Sequence, residues 1–434
     1  MHHKLIVCKL TTILLFLLAF GGLYIAPAFA ADWPQFQGPD RSGVSSEKGL
    51  ARTWPEGGPT ELWSTNLGEG FSGAAVKDGE VFVVDRNGEL EDMLRVYSLD
   101  SGKELWNFSY DAPGKVSYHG SRTTPTVTDT HVFFVGVMGD FYCIDRDTKK
   151  PVWNKNLVKD FKLKRLPGWG ICQAPILHND LVIVAPQSAE ASIAAFNQIT
   201  GKLVWKAPQI GRLAYTTPII RKIHGVDQAI MAFANSRVDP GNVAGFSLEN
   251  GKVLWEYTGW ENKIPIPFPT VLPDNRVFIT GGYDSGSVMI EVTKSGRKFK
   301  TKELWKNKNL GSQIHQPLVV GDHFYMNNNE NSRKDGMSCV SFDGAVKWKT
   351  KDTEGLPWFD LGNMILVDGL ILNMDGRTGM LHLIEPSTGE YKELASAQVL
   401  DNKKKKYWAP MAYSNGKLLV RSQETLHCLD LRKW

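Results

Sequence analysis

Apolar residues in this chain come in short runs, and polar clusters rich in Gly, Asp and Asn separate them. Val81-Phe-Val-Val84, Val132-Phe-Phe-Val135, Leu181-Val-Ile-Val184 and Val277-Phe-Ile-Thr280 are too short for helices and rich in β-branched and aromatic residues. Each predicts a buried strand. A shorter strand precedes each unit's run, often opened by proline, as in Thr124-Pro-Thr-Val127, Ala174-Pro-Ile-Leu177 and Gln316-Pro-Leu-Val319. Lys77-Asp-Gly79, Pro273-Asp-Asn275, Asp368-Gly369 and Ser414-Asn-Gly416 stand between first and second strands and read as hairpin turns. A third strand follows, as in Phe141-Tyr-Cys-Ile144.

A fourth strand closes each unit with one recurring phrase. Asp100-Ser-Gly-Lys-Glu-Leu-Trp106, Thr200-Gly-Lys-Leu-Val-Trp205 and Asn250-Gly-Lys-Val-Leu-Trp255 are close copies. The phrases ending at Trp153, Trp305 and Trp348 are looser, and Glu385-Pro-Ser-Thr-Gly389-Glu-Tyr391 is expected to put Tyr in the place of Trp. The copies recur at roughly 43–52 residues, the period of a four-stranded propeller blade. Trp106, Trp153, Trp205, Trp255, Trp305 and Trp348 recur once per unit, so they read as blade-docking core rather than a cofactor box.

The pattern predicts an all-β, eight-bladed propeller of four-stranded antiparallel blades. The eighth unit has no room for its own last strand, and Glu61-Leu62-Trp63 is a strand without a blade. Trp63 is therefore expected to complete the last blade and protect the open edges. Seven blades is the alternative, if the weak unit near Met364 to Tyr391 is incomplete.

The start of the chain is basic at His2, His3, Lys4 and Lys9, then apolar from Ile13 to Leu23, with Ala28-Phe29-Ala30 as a small-x-small cleavage pattern. No lipobox cysteine follows. The expected organisation is an export signal at 1–30, an extended arm at 31–60 and one propeller domain at 61–434. After cleavage no transmembrane segment is expected, and the location is periplasmic or extracellular. Cys143, Cys172, Cys339 and Cys428 have no Cys-x-x-Cys spacing, so buried free thiols are expected. A net charge of +4 gives no reason to expect nucleic acid. The run Lys403 to Lys406 reads as a solvated hairpin tip, and Asp284-Ser-Gly-Ser287 and Asn327-Asn-Asn-Glu-Asn331 as surface loops.

The Asn197 to Trp205 and Asp100 to Trp106 phrases resemble the PQQ-like, quinoprotein-type β-propeller repeat. In character the chain is similar to exported non-enzymatic members that resemble the outer-membrane assembly propeller of the Bam complex. Trp33-Pro-Gln-Phe-Gln-Gly-Pro-Asp-Arg-Ser-Gly43 also resembles the opening of exported, uncharacterised PQQ-like propellers. The other branch, the quinone-dependent alcohol dehydrogenases, implies pyrroloquinoline quinone (PQQ) and calcium. The residues themselves supply no calcium-ligand motif, no nucleophile elbow and no metal-binding helix. No catalytic or metal-binding residue is assigned, and no cofactor is expected from the residues alone.

In a propeller the residues before the first strands stand at one mouth of the central channel. Aligning the units there brings together Arg122, Tyr215, His315, Asp360 and Trp408, with Trp169 and Trp358 slightly upstream. Aromatics with a few convergent polar groups suit a ligand funnel. Arg122, His315 and Asp360 are expected as anion, proton and cation partners. The expected role is a monomeric binding or scaffold module whose partner is an envelope protein or a small ligand. A PQQ- and calcium-dependent oxidoreductase and a carbohydrate-binding propeller are the alternatives.

Overall fold

The computed structural model describes residues 32–212, 214–235, 242–330, 334–401 and 406–433. The expected export signal at 1–30, Asn331 and Lys403 to Lys405 lie outside the described residues. Eight blades of four antiparallel strands form a ring. Blade 1 is built from Ala74–Lys77, Glu80–Asn87, Glu91–Ser98 and Glu104–Asp111. Blades 2 to 6 begin at Thr126, Ile176, Ile219, Thr270 and Leu318, and blade 7 begins at Met364. First strands of neighbouring blades touch one another, so they line the axis.

The seventh unit is a complete blade, with Met364–Val367, Leu370–Met374, Met380–Ile384 and Glu393–Gln398 in order. Blade 8 takes Ala412–Ser414, Lys417–Arg421 and Thr425–Asp430 from the end of the chain and Thr60–Asn66 from near its start. Trp63 pairs with Cys428 in that ladder. Backbone hydrogen bonds therefore close the ring, and blade 8 has its full set of four strands.

The repeated phrase works across blades. A bulge at the start of the outer strand turns the tryptophan toward the next blade, with a compact or flexible residue opposite: Cys143 faces Trp153, Ala195 faces Trp205 and Cys339 faces Trp348. The indole N–H then donates to a turn carbonyl of the following blade. Trp63 reaches Leu99, Trp153 Gln198, Trp205 Leu248, Trp305 Phe342 and Trp348 Ser387, all at 2.8–2.9 Å. Trp255 is different. The third and fourth strands of blade 5, Gly286–Ser295 and Lys298–Asn307, form one long hairpin, so no turn lies at that height. Trp255 instead donates to Gln228 Oε1 inside its own blade at 2.7 Å.

Tyr391 does not take the tryptophan's place. The position facing the third strand in blade 7 is Ala395, opposite Leu383. Tyr391 lies before the strand and packs edge-on against Trp348 of the preceding blade, 6.1 Å between ring centroids. The register after the turn, rather than the nearest large ring, fixes which side chain faces the next blade.

The polar run at Asn327 is not a surface loop either. Asn327, Asn328 and Asn329 end the strand His323–Asn329 and are at most 4% exposed. Their amides bond to other buried polar side chains and to backbone: Asn327 and Asn373 exchange bonds at 3.0 and 2.9 Å, and Asn328 donates to Asp335 at 3.2 Å. Ser287 is likewise buried in a strand. Polar composition predicted exposure, but amides that satisfy each other bury at little cost. Cys143, Cys339 and Cys428 are buried free thiols, and Cys172 is partly buried and free.

The segment ahead of Thr60 crosses the end of the channel where the first hairpins turn. Trp33 bridges Val76 of blade 1, Val127 N–H donates to Pro34, Arg41 donates to Pro175, and Val44–Ser45 adds a parallel strand to blade 7. Trp33 is 1% exposed, and Phe36 meets Phe268 edge-on. The segment thus makes contacts at blades 1, 2, 3, 5 and 7, and lies across that end of the axis. No helix among the described residues is long and apolar enough to cross a membrane.

Candidate functional site

The open end of the channel holds a cavity of about 410 Å³. Loops leading into the first strands build its wall, and Phe36 of the N-terminal segment contributes to its lining from the closed end. Six of the seven residues expected at the mouth share this cavity: Arg122, Trp169, Tyr215, His315, Asp360 and Trp408. Trp358 does not. It lines an adjoining cavity of about 320 Å³, which meets the first at Asp360 and Lys334.

One wall is aromatic. Phe71 stacks on Trp408 with centroids 5.8 Å apart, Tyr118 stands edge-on between Phe71 and Trp169, and Trp169 lies 4.5 Å from Tyr215. Lys406 Nζ rests 4.0 Å from the centre of the Tyr118 ring, close enough for a cation–π contact. The other wall is polar and carries Tyr283, Gln313, His315, Glu330, Lys334 and Asp360.

Arg122 is positioned differently from an anion partner. Its guanidinium donates to the carbonyls of Trp169 (3.2 Å), Ser117 (3.3 Å) and Tyr118, and covers the Phe71 ring at 4.8 Å. Burial pushes its pKa down. It clamps the loop that carries Tyr118, so its donors are largely spent on backbone. His315 is 5% exposed, and burial pushes its imidazole down to about 4, so the ring is neutral at ordinary pH. Its Nδ1 meets the Asn363 amide at 3.3 Å. Asn363 also accepts Met411 N–H at 3.0 Å, tying blade 7 to blade 8.

Asp360 behaves as a partly desolvated carboxylate. Burial pushes its pKa up, opposed by the charge of Lys334. Phe359 and Asp360 are consecutive non-glycine residues with φ of 57° and 41°. Tyr283 and Asp284 repeat this at 61° each, and Tyr118 has φ 59°. Left-handed conformations cost non-glycine residues about 1 kcal/mol or more each, and they persist where the surroundings over-determine them. Here the surroundings are visible. Asn329 Nδ2 donates to the carbonyls of Trp358 and Asp360, both at 2.6 Å, and Glu330 Oε2 accepts Asp284 N–H at 2.8 Å. Asn329 therefore props the strained corner that holds Asp360 at the cavity, and Glu330 the one that holds Tyr283.

Sequence reasoning missed Phe36, Tyr118, Tyr283, Gln313, Glu330 and Lys334. Tyr118 lies four residues before the expected Arg122, and the others lie on segments whose reach toward the axis has no periodic signal.

The donor set does not fit a calcium-bound quinone. Calcium takes about six to eight oxygen ligands. The carboxylates in the cavity wall are Glu330 and Asp360, and Glu330 already accepts a backbone N–H. Among the described residues no group of three or more His, Cys, Asp or Glu is arranged to hold a metal.

The sequence model of the family described as outer membrane protein assembly factor BamB matches residues 90–350. Among solved structures, BamB from Moraxella catarrhalis is 14% identical with a TM-score of 0.57, covering 86% of this chain and 99% of that one. A europium-containing methanol dehydrogenase is 12% identical with a TM-score of 0.64, covering 90% and 89%. Quinohemoprotein alcohol dehydrogenase from Comamonas testosteroni is 11% identical with a TM-score of 0.61, covering 92% and 80%. No curated protein matches. Identities this low carry the shared propeller fold and nothing finer.

Proposed function

Given that the chain belongs to the PQQ-like propeller family described as outer membrane protein assembly factor BamB, we propose that it is an exported, monomeric binding module of the cell envelope. In this reading residues 1–30 direct export, 31–60 form the arm and 61–434 the propeller domain. The partner is a protein that inserts a segment into the channel mouth.

The observation that carries this reading is the composition of the rim. Trp358 is 51% exposed and Tyr118 43% exposed, beside a recess walled by Trp169, Tyr215 and Trp408. Trp, Tyr and Arg dominate the energetics of protein interfaces, because large rings bury much area at low entropic cost. A recess of about 410 Å³ has room for an anchoring side chain and its neighbours.

The test is photo-crosslinking in the envelope with a reactive group at Tyr118 or Trp358, and a control at the exposed Lys222 on a first-strand hairpin. One defined protein captured from both mouth positions and not from the control is the expected result. Capture at all three positions, or at none, overturns the reading. The aromatic wall is the one observation on the side of a second reading, a quinone-dependent oxidoreductase, which the cavity's oxygen donors oppose. A saturable rise in melting temperature with PQQ and calcium, lost in Trp169→Ala, would establish that reading instead.

A further inference from the structure

At the closed end of the channel a third cavity, of about 220 Å³, lies where the N-terminal segment meets blades 4 and 5. Two guanidinium groups share its wall, Arg41 from that segment and Arg221 from the first strand of blade 4, Ile219–Ile223. Arg41 is 6% exposed. Its Nε and Nη2 are held by Gln35 Oε1 at 2.9 and 2.5 Å, and Nη2 also reaches the Pro175 carbonyl at 3.1 Å. Its Nη1 is buried with no hydrogen-bond partner. Thr270 Oγ1, in the same wall, is also buried without one.

The charge is as exposed to question as the hydrogen bonds. Among the described residues neither Arg41 nor Arg221 forms a salt bridge, although seven of the other twelve arginines do. Asp40 is the wall's single acid; its charge offsets part of the burial cost of Arg221, and it accepts from Ser42 N–H at 3.0 Å and Ser42 Oγ at 2.5 Å. Burial first, then the nearby Arg221, push the Arg41 guanidinium down to about 9. Water can satisfy a free N–H, but it cannot neutralise the positive charge that a single carboxylate leaves over on two guanidinium groups in one recess.

We propose that this cavity binds a small oxyanion, a phosphate or carboxylate group held between Arg41 and Arg221 with the Thr270 hydroxyl as a further donor. The forked, always-charged guanidinium suits two oxygens of one such group. Because Arg41 belongs to the N-terminal segment and Arg221 to blade 4, a bound anion would tie the segment to the ring. The same segment carries Phe36 into the mouth cavity, so occupancy would also steady part of that cavity's lining.

The experiment is thermal melting of the purified protein in chloride, phosphate or acetate at one ionic strength. Phosphate or acetate is expected to raise the melting temperature saturably above chloride. Arg221→Gln is expected to abolish that rise, Arg221→Lys to keep part of it, and Thr270→Val to weaken it without any change of charge. In chloride, Arg221→Gln is expected to melt at or above the unaltered protein, because a like-charge pair is gone. The stronger of the two responding anions names the group. No response to either anion, or an undiminished response in both Arg221→Gln and Thr270→Val, overturns the proposal.

Discussion

Trp153 of blade 2 donates its indole N–H to the Gln198 carbonyl of blade 3 at 2.8 Å. Three residues further on, Gly201 lies over the same ring, and a Cβ there would stand 2.7 Å from it. Gly102 stands in this relation to Trp63, Gly251 to Trp205 and Gly344 to Trp305. The glycine and tryptophan of the repeated phrase are thus partners across a joint, each glycine accommodating the tryptophan of the blade before it.

Gly201→Ala should therefore be costly for two separate reasons. The backbone φ is 63°, and the new methyl group meets the indole. Strain and overpacking together predict a loss of about 2–5 kcal/mol. Trp153→Ala should cost about 3–5 kcal/mol. Denaturant melts of the two single variants and the double variant give the coupling between them. If the contact matters, Gly201→Ala is less harmful once Trp153 is gone, and strict additivity would refute the pairing.

The joint between blades 1 and 2 supplies the converse. Lys149 stands where the phrase has glycine, with φ 60°, and the Trp106 Nε1 is buried without a hydrogen-bond partner. A side chain in the left-handed region costs about 1–2 kcal/mol. Lys149→Gly should stabilise the protein by about 1 kcal/mol, less the entropy a glycine adds to the unfolded chain. A variant that melts no higher than the parent would mean that the left-handed strain at Lys149 is negligible.

Stability should fall in acid through His315. Its folded-state pKa is about 4, pushed down by burial from 6.5. The unfolded chain takes up a proton there between those values and the folded chain does not. The contribution is complete above about pH 6.5 and is lost as pH falls toward 4. At about 1.4 kcal/mol per pH unit, the loss across this window is a few kcal/mol. His315→Gln should flatten the melting profile between pH 6.5 and 4. An unchanged slope would show that His315 does not titrate there.

The blade count, the closure by Trp63 and the docking tryptophans were legible because each rests on a local periodic signal: alternation, a turn, then one large ring. Ala395 was not legible, since a bulge shifts the register after the turn and Tyr391 imitates the expected residue. The mouth was half legible. Arg122, Trp169, Tyr215, His315, Asp360 and Trp408 adjoin the first strands, so their place follows from topology. Their chemistry does not, because it depends on what lies across the axis. Arg122 spends its donors on carbonyls supplied by loops at 117–118 and 169, and the neutral state of His315 comes from burial that no motif encodes.

Asn329 offers the sharpest test of how the mouth is held. Its amide donates to the Trp358 and Asp360 carbonyls, and its Oδ1 accepts Gly336 N–H at 2.9 Å. These bonds span the left-handed corner at Phe359 and Asp360, beside the rim residue Trp358. Asn329→Asp keeps the size and the acceptor for Gly336 but removes both donations, placing a carboxylate against two carbonyl oxygens. Each lost bond leaves a buried or half-buried acceptor unsatisfied at about 1–3 kcal/mol. The corner should relax before the ring does, because the blade ladders do not depend on it. Native-state hydrogen exchange should then show faster exchange over residues 356–363 with the strands of blades 1 to 3 unchanged. Crosslinking from Trp358 should weaken in parallel, while crosslinking from Tyr118, across the cavity, persists. Uniform loss of protection would mean that Asn329 supports the fold as a whole, and an unchanged exchange pattern that the corner stands without it.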